Sequence, residues 1–208
     1  MGLDIYYHRC KSGQVDRYEQ AHKEWAKQQP ESSKKHCDDY ETLPESEKES
    51  IKKEVKEWYE KEPSFKDYGI EDVGYFRKVN FLMPFFSYFD NCEFKVVSKE
   101  ELEDLKERTD KLSAIKPYRR MRIWWKPENE GKIANPKEGE HYWVKKLYRK
   151  ADKALAEDLL PTTSGFFYGS TEYDQYYWND VKEVNEWVTN LLKETDFENE
   201  EVLMYCWW

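Results

Sequence analysis

The sequence predicts an α+β fold, a small mixed or antiparallel sheet covered by helices, and three observations carry that prediction. Apolar Leu3, Ile5 and Tyr7 alternate with Asp4, Tyr6 and His8 at the start of the chain, and the apolar run from Val202 to Trp208 supplies a closing strand. Between these strands lie segments with helical spacing, of which 174–194 is the clearest, with Tyr177, Val181, Val184, Val188 and Leu191 on one side. The third observation is the supply of rings. The 208 residues include 9 Trp, 16 Tyr and 10 Phe, while 37% are charged. Each buried ring removes roughly 150–250 Å² from water, so a few replace many aliphatics in building one core.

The elements follow in order. After the opening strand, a polar helix is expected from Gln14 to Gln28, and 29–43 reads as a polar surface loop. A second polar helix follows Pro44, with Ile51, Val55, Trp58 and Tyr59 along one face. Region 9–65 is therefore expected to be a polar helical insertion within a single domain spanning 1–208. Tyr75, Val79, Leu82, Phe86 and Phe89 keep 4-3-4-3 spacing, which predicts a buried helix kinked at Pro84, where proline removes a backbone donor. Glu93 to Val97 predicts a strand, and Ser98 with Glu101 forms a capping box that starts a helix bearing Leu102, Leu105 and Leu112. The stretch 116–140 is expected to be loop or hairpin. Val144, Leu147, Tyr148, Ala151 and Leu155 predict another helix, ending before Pro161. Gly165 to Gly169 reads as a strand bounded by glycines, and the acidic turn 196–201 leads into the closing strand.

Charge is unevenly spread over a formal net of −9: residues 1–72 carry −5, 73–150 carry +6 and 151–208 carry −10. An acidic chain binds a long polynucleotide poorly, because that affinity comes from many phosphate contacts. The basic middle suits a small anion instead. No apolar run approaches the ~18 residues of a spanning helix, the first residues have no secretory pattern, and Tyr6 breaks the myristoylation motif. A cytoplasmic protein without membrane attachment is the expectation. Cys10, Cys37, Cys92 and Cys206 are irregularly spaced and are expected to be free thiols. His8 with Cys10 and His36 with Cys37 supply metal-ligand types, but without paired C-x2-C spacing, so neither a metal nor a cofactor is expected.

Three segments carry candidate chemistry. Residues 161–174 crowd hydroxyls, glycines and rings (Thr162, Thr163, Ser164, Tyr168, Ser170, Tyr173) immediately before the long helix. Either the free N–H groups of that helix meet an anion, or Thr171 or Asp174 simply caps it. Arg77, Lys78 and Asn80 interrupt an apolar run; Arg77 either pairs with Asp4 on the first strand or reaches a phosphate or carboxylate with its planar fork. Residues 116–126, with Arg120, Arg122, Trp124 and Trp125, mix cations with rings, a surface on which bases stack, or alternatively a basic hairpin facing water. Signatures of nucleophilic or zinc catalysis are absent. Glu172 and Asp174 beside Tyr173 are the one acid–base pair suggested by adjacency.

Three stretches resemble a family of phage and bacterial proteins. Met1-Gly2-Leu3-Asp4-Ile5-Tyr6 is similar to that family's MGLDMY opening, and Phe76-Arg77-Lys78-Val79-Asn80 to its WRKAN segment. Leu160 to Asp174 resembles its LPTSSGFFFGSTEYDE segment. The chain departs in having Phe76 in place of Trp and Phe81-Leu82-Met83-Pro84 where the pattern reads AIHNWF, so a histidine of the pattern is missing, and 9–65 lies outside the resemblance. The resemblance implies phage origin and puts Asp4, Arg77, Asn80 and 161–174 on one short list.

The expected function is binding and sequestration of a small anionic, nucleotide-type ligand, a counter-defence sponge without catalysis. Arg77 and Lys78 would meet phosphate, Thr162, Thr163, Ser164 and Ser170 would donate hydrogen bonds, and Tyr168, Tyr173, Trp124 or Trp125 would stack on a base. One alternative is an acidic interaction protein that inhibits a host protein; another is a hydrolase of nucleotide signals using Glu172 or Asp174. Any ring-rich surface left uncovered favours a homo-oligomer.

Overall fold

The computed structural model describes residues 2–34, 42–88, 93–124, 142–165 and 168–207. At its centre the first and last strands pair antiparallel, β1 (Asp4–Lys11) against β6 (Glu200–Trp207), in unbroken register from Asp4↔Trp207 to Lys11↔Glu200. β2 (Glu71–Arg77) adds to the free side of β1, and β3 (Phe94–Val97) to that of β6, completing an antiparallel sheet of order β2-β1-β6-β3. β4 (Arg119–Trp124) and β5 (Tyr142–Leu147) form a separate ribbon. The α+β class is as the sequence predicts.

Strand alternation sorts the sheet's two faces. Leu3, Ile5 and Tyr7, with Phe76, Val97, Val202, Met204 and Cys206, point to the main core and are buried. Helices α5 (Lys99–Ser113) and α7 (Gln175–Glu194) cover this face. α5 contributes Leu102, Leu105 and Leu112, and α7 contributes Tyr177, Trp178, Val181, Val184, Val188 and Leu191. The Ser98–Glu101 capping box forms as expected. The two helices are tied by Asn185, whose amide donates to Thr109 at 3.0 Å and Asp110 at 2.8 Å. Trp187 closes the other end: its indole N–H donates to the Val73 carbonyl at 2.7 Å and its ring lies over Gly74.

The opposite face carries the polar insertion. Helix α1 (Gln14–Lys27) lays Val15 and Tyr18 against a small cluster of Cys10, Ile70, Leu203, Phe65 and Phe94. A helical turn, α2 (Glu31–Lys34), stands where loop is expected. Helix α3 (Glu45–Tyr59) buries no residue at all. Its attachment is a pair of indoles: Trp25 and Trp58 stack 4.1 Å apart at 3°, and each donates its N–H to the other's backbone carbonyl, at 2.8 and 3.0 Å.

Three local expectations are corrected. The helix over 75–89 is instead strand β2, a turn, and a short helix α4 (Leu82–Phe85). Pairing with β1 takes up the backbone of 71–77, and Lys78, at φ 60°, turns the chain out of the strand. Val79, Leu82 and Phe86 are buried all the same, whereas Tyr75 is exposed and Phe89 lies outside the described residues. The helix from Val144 begins only at Lys150, as α6 (Lys150–Leu159), because 142–147 pair with β4 and Asp152 accepts from the Arg149 N–H at 2.9 Å to start the helix there. In the stretch expected as a strand from Gly165 to Gly169, Tyr168 is in a turn, its N–H donating to the Gly165 carbonyl at 3.1 Å, and residues 166–167 lie outside the described set.

Two measurements test this packing. Trp58→Ala should abolish the exciton couplet of the stacked indoles in circular dichroism and open 45–60 to proteolysis, with little change in the main unfolding transition. Gly74→Ala would place a Cβ 2.4 Å from the Trp187 indole nitrogen. It should lower stability by about 1–3 kcal/mol in denaturant titration, and adding Trp187→Leu should recover part of the loss.

Candidate functional site

The turn after β2 and the segment preceding α7 face each other across a cleft of ≈ 280 Å³. From the first come Arg77, Lys78, Asn80 and Phe81; from the second, Thr162, Gly169, Ser170, Glu172, Asp174, Tyr176, Tyr177 and Asp180.

The cationic side is built from the sheet edge. Asp4 is buried, and its Oδ1 accepts from the Tyr75 hydroxyl at 2.5 Å and lies 3.4 Å from Arg77 Nη1. The burial is the reverse of what an apolar helix would require: the carboxylate is inside and Arg77 is more than half exposed. Arg77 thus neutralises Asp4 with one edge of its fork and offers the cleft its remaining donors. Lys78 occupies the left-handed region, an uncommon conformation for a residue with a side chain. Its N–H donates to Leu3 at 2.8 Å, and its stem passes between two glycines. A Cβ on Gly2 would come within 2.9 Å of Lys78 Cε, and one on Gly169 (φ +90°) within 3.2 Å of Lys78 Cβ. The Lys78 ammonium makes no ion pair among the described residues.

The opposite wall is held by its own hydroxyls and amides. Buried Asn80 donates to the Ser170 carbonyl at 2.9 Å. The Thr162 N–H donates to the Tyr173 hydroxyl oxygen at 3.1 Å, and the Thr162 hydroxyl donates to the Thr171 carbonyl at 3.0 Å. Ser170 Oγ accepts from the Glu172 N–H at 3.1 Å, and Tyr177 donates to the Leu160 carbonyl at 2.9 Å. Asp174 caps α7, accepting from Tyr176 at 2.8 Å and Tyr177 at 3.4 Å. The capping alternative therefore prevails over an anion at this helix start, because Asp174 already takes the amides an anion would use.

Six expected residues meet at this cleft: Asp4 behind it, and Arg77, Lys78, Asn80, Thr162 and Ser170 along it. Tyr173 stands behind Thr162 as a support, and Tyr168 packs against the main core, where burial raises its hydroxyl's pKa. Thr163 is half-buried and Ser164 exposed, and neither lines the cleft. Arg120 is exposed on the β4–β5 ribbon, outside the lining. The ribbon docks beside α7, through the Lys146 N–H on Gln175 at 2.9 Å and Lys146 Nζ on Asn179 at 3.2 Å. Arg122 and Trp124 have backbone in β4 but side chains outside the described set, and Trp125 lies outside it altogether.

Asp180 is the cleft residue that sequence reasoning missed. It sits on the edge of the Tyr177–Val181–Val184 stripe, and that position was the available signal. Burial, followed by the negative charges of Glu183 and Asp174, pushes its carboxyl up to about 7. Glu172, Asp174 and Asp180 make one wall acidic while Arg77 and Lys78 make the other basic, so the cleft is two-signed. No cluster of three metal-ligating side chains occurs among the described residues. Cys10 and Cys206 are free and buried, with Cys10 pushed up to about 11 by burial and Glu201, which keeps it protonated; His36, Cys37 and Cys92 lie outside the described residues.

Comparison with models of protein families, with curated proteins and with solved structures gives no match to this chain. No helix among the described residues is long and apolar enough to cross a membrane.

The raised carboxyl has a consequence for stability. Between 3.8, its ordinary value, and about 7 the folded state holds a proton at Asp180 that the unfolded state has released. This contribution is present below 3.8 and lost as pH rises through the folded value. Thermal unfolding of Asp180→Asn against the parent should therefore show a relative stabilisation that grows across this interval and levels off above it. A difference independent of pH would contradict the assignment.

Proposed function

We propose that the chain binds and sequesters one small anionic, nucleotide-type ligand in the cleft between the Arg77–Phe81 turn and the start of α7. The observation that carries this reading is the convergence of segments some eighty residues apart on a pocket where Arg77 and Lys78 face three carboxylates. The segments that resemble the phage family, around Asp4, Arg77–Asn80 and 160–174, are those that build it, which supports a counter-defence role. In this reading the fork of Arg77 and the ammonium of Lys78 take phosphate oxygens. Amino and ring N–H donors on a base edge suit the carboxylates of Glu172 and Asp180, as acidic side chains accept from the exocyclic amine of cytosine. At ≈ 280 Å³ the cleft lies just below the ~300–1,000 Å³ of ligand pockets. That size favours a mononucleotide-sized group over a polymer.

One observation favours a second reading, hydrolysis. A carboxyl poised at about 7 is suited to take a proton from an attacking water. Asp174, held in its cap, is not placed for that role, so Asp180 replaces it as the candidate. Both readings meet the same experiment. The protein is titrated calorimetrically with a panel of mono-, di- and cyclic nucleotides, and the recovered ligand is identified by chromatography. Sequestration predicts saturable binding and unchanged ligand, with Arg77→Gln and Lys78→Gln each weakening affinity by roughly 10–100-fold, the worth of a charge-assisted hydrogen bond. Conversion of the ligand, abolished by Asp180→Asn, would establish hydrolysis instead. Absence of binding across the panel would refute both.

A further inference from the structure

A second cavity, ≈ 530 Å³, opens on the other face of the sheet between α1 and strands β3 and β6. Its lining is Tyr18, Phe65, Phe94 and Tyr205, with Glu19, His22, Lys23 and Glu93 around them. The rings arrive there from four separate parts of the chain. Register puts Tyr75, Tyr6, Tyr205 and Phe94 side by side across all four strands, and α1 and the 65–68 turn bring Tyr18 and Phe65 over the end of that row.

The ring geometry and the charges select the ligand. Tyr18, Phe65 and Phe94 meet one another at 63–86°, and Phe94 meets Tyr205 at 40°, so the rings form a many-sided hollow. A planar base stacks on one ring face and leaves the rings that cross it unused. A compact cation is attracted to ring faces from any direction and needs no common plane. Lys23 is 3.1 Å from Glu19, and His22 lies 3.7 Å from Glu62, so the bases here have acidic neighbours. Glu93, exposed at the rim, has no ion pair among the described residues. We infer that this cavity is a binding site for a small organic cation of the alkylated or quaternary ammonium class, held on the rings of Tyr18, Phe65, Phe94 and Tyr205 with Glu93 as counter-charge. The site is independent of the cleft at α7 and of the ligand proposed there.

The test is a titration of the full chain with choline and, separately, with 3,3-dimethyl-1-butanol, its uncharged isostere, followed by calorimetry and by NMR shifts of the aromatic protons. Choline should saturate the site and bind roughly tenfold or more tightly than the isostere, the range expected for cation–π attraction. Phe94→Leu should weaken choline by about the same factor. Because Phe94 also packs in the cluster, Glu93→Gln provides the variant that leaves the fold intact. It should weaken choline several-fold while leaving the isostere unchanged. No saturation by choline, equal affinity for the isostere, or indifference of choline to Glu93→Gln would each overturn the assignment.

Discussion

The pairing of β1 with β6 is the constraint on which the rest of the molecule depends. Eight consecutive pairs, Asp4↔Trp207 to Lys11↔Glu200, join residues almost the full chain apart. Every other strand of the main sheet attaches to one of these two, so a slip of one residue would turn Leu3, Ile5 and Tyr7 outward and bring Tyr6 and His8 into the core. The main core, where α5 and α7 lie over Ile5, Tyr7, Val202 and Met204, is the reason that slip is forbidden. The same register places Asp4 opposite Arg77 on one side and Trp207 on the other. The cationic side of the cleft is thus a consequence of core packing transmitted through strand alternation.

The two sheet faces have been put to different uses. The inner face is aliphatic and aromatic apart from Lys95, which pairs with Glu101 of α5, and it is closed by helices whose stripes match it. The outer face is a row of rings only half covered by a polar insertion, whose α1 packs on the sheet and whose α3 is joined to α1 by an indole pair. Covering helices with few buried residues open at low free energy, and elements that bind or release ligands are drawn from such regions. At the cleft, most of the polar residues are spent on structure: Asn80, Thr162, Ser170, Tyr173 and Asp174 bond to backbone groups of the segment 162–177 and hold the wall. The side chains left to meet a ligand are those with charge, Arg77, Lys78, Glu172 and Asp180.

Much of the candidate site was legible in the sequence, in a particular sense. Asp4, Arg77, Lys78, Asn80, Thr162 and Ser170 could be singled out because polar residues inside apolar or glycine-rich stretches are exceptions to the local pattern. What the pattern did not convey was which of them act on each other. Asp180 escaped because its local context, a carboxylate on an acidic helix, is what a solvated helix face also looks like. Its elevated pKa comes first from burial and then from the charges of Glu183 and Asp174, and of these only the neighbouring charges are written locally.

The helices α1 and α7, nearly to the residue, and the start of α5 were determined by the sequence alone, because a 3.6-residue stripe and a cap at Ser98 or Asp174 are local signals. The end strands were likewise readable, the first from its two-residue alternation and the last from its short apolar run after an acidic turn. Residues 71–77 and 142–147 were decided only by tertiary structure. Their apolar spacing is compatible with a helix, and what makes them strands is hydrogen bonding to β1 and β4, partners that lie outside any local window. Strand identity there, like the convergence of Arg77 and Asp180 on one cleft, depends on long-range contacts that no local window records.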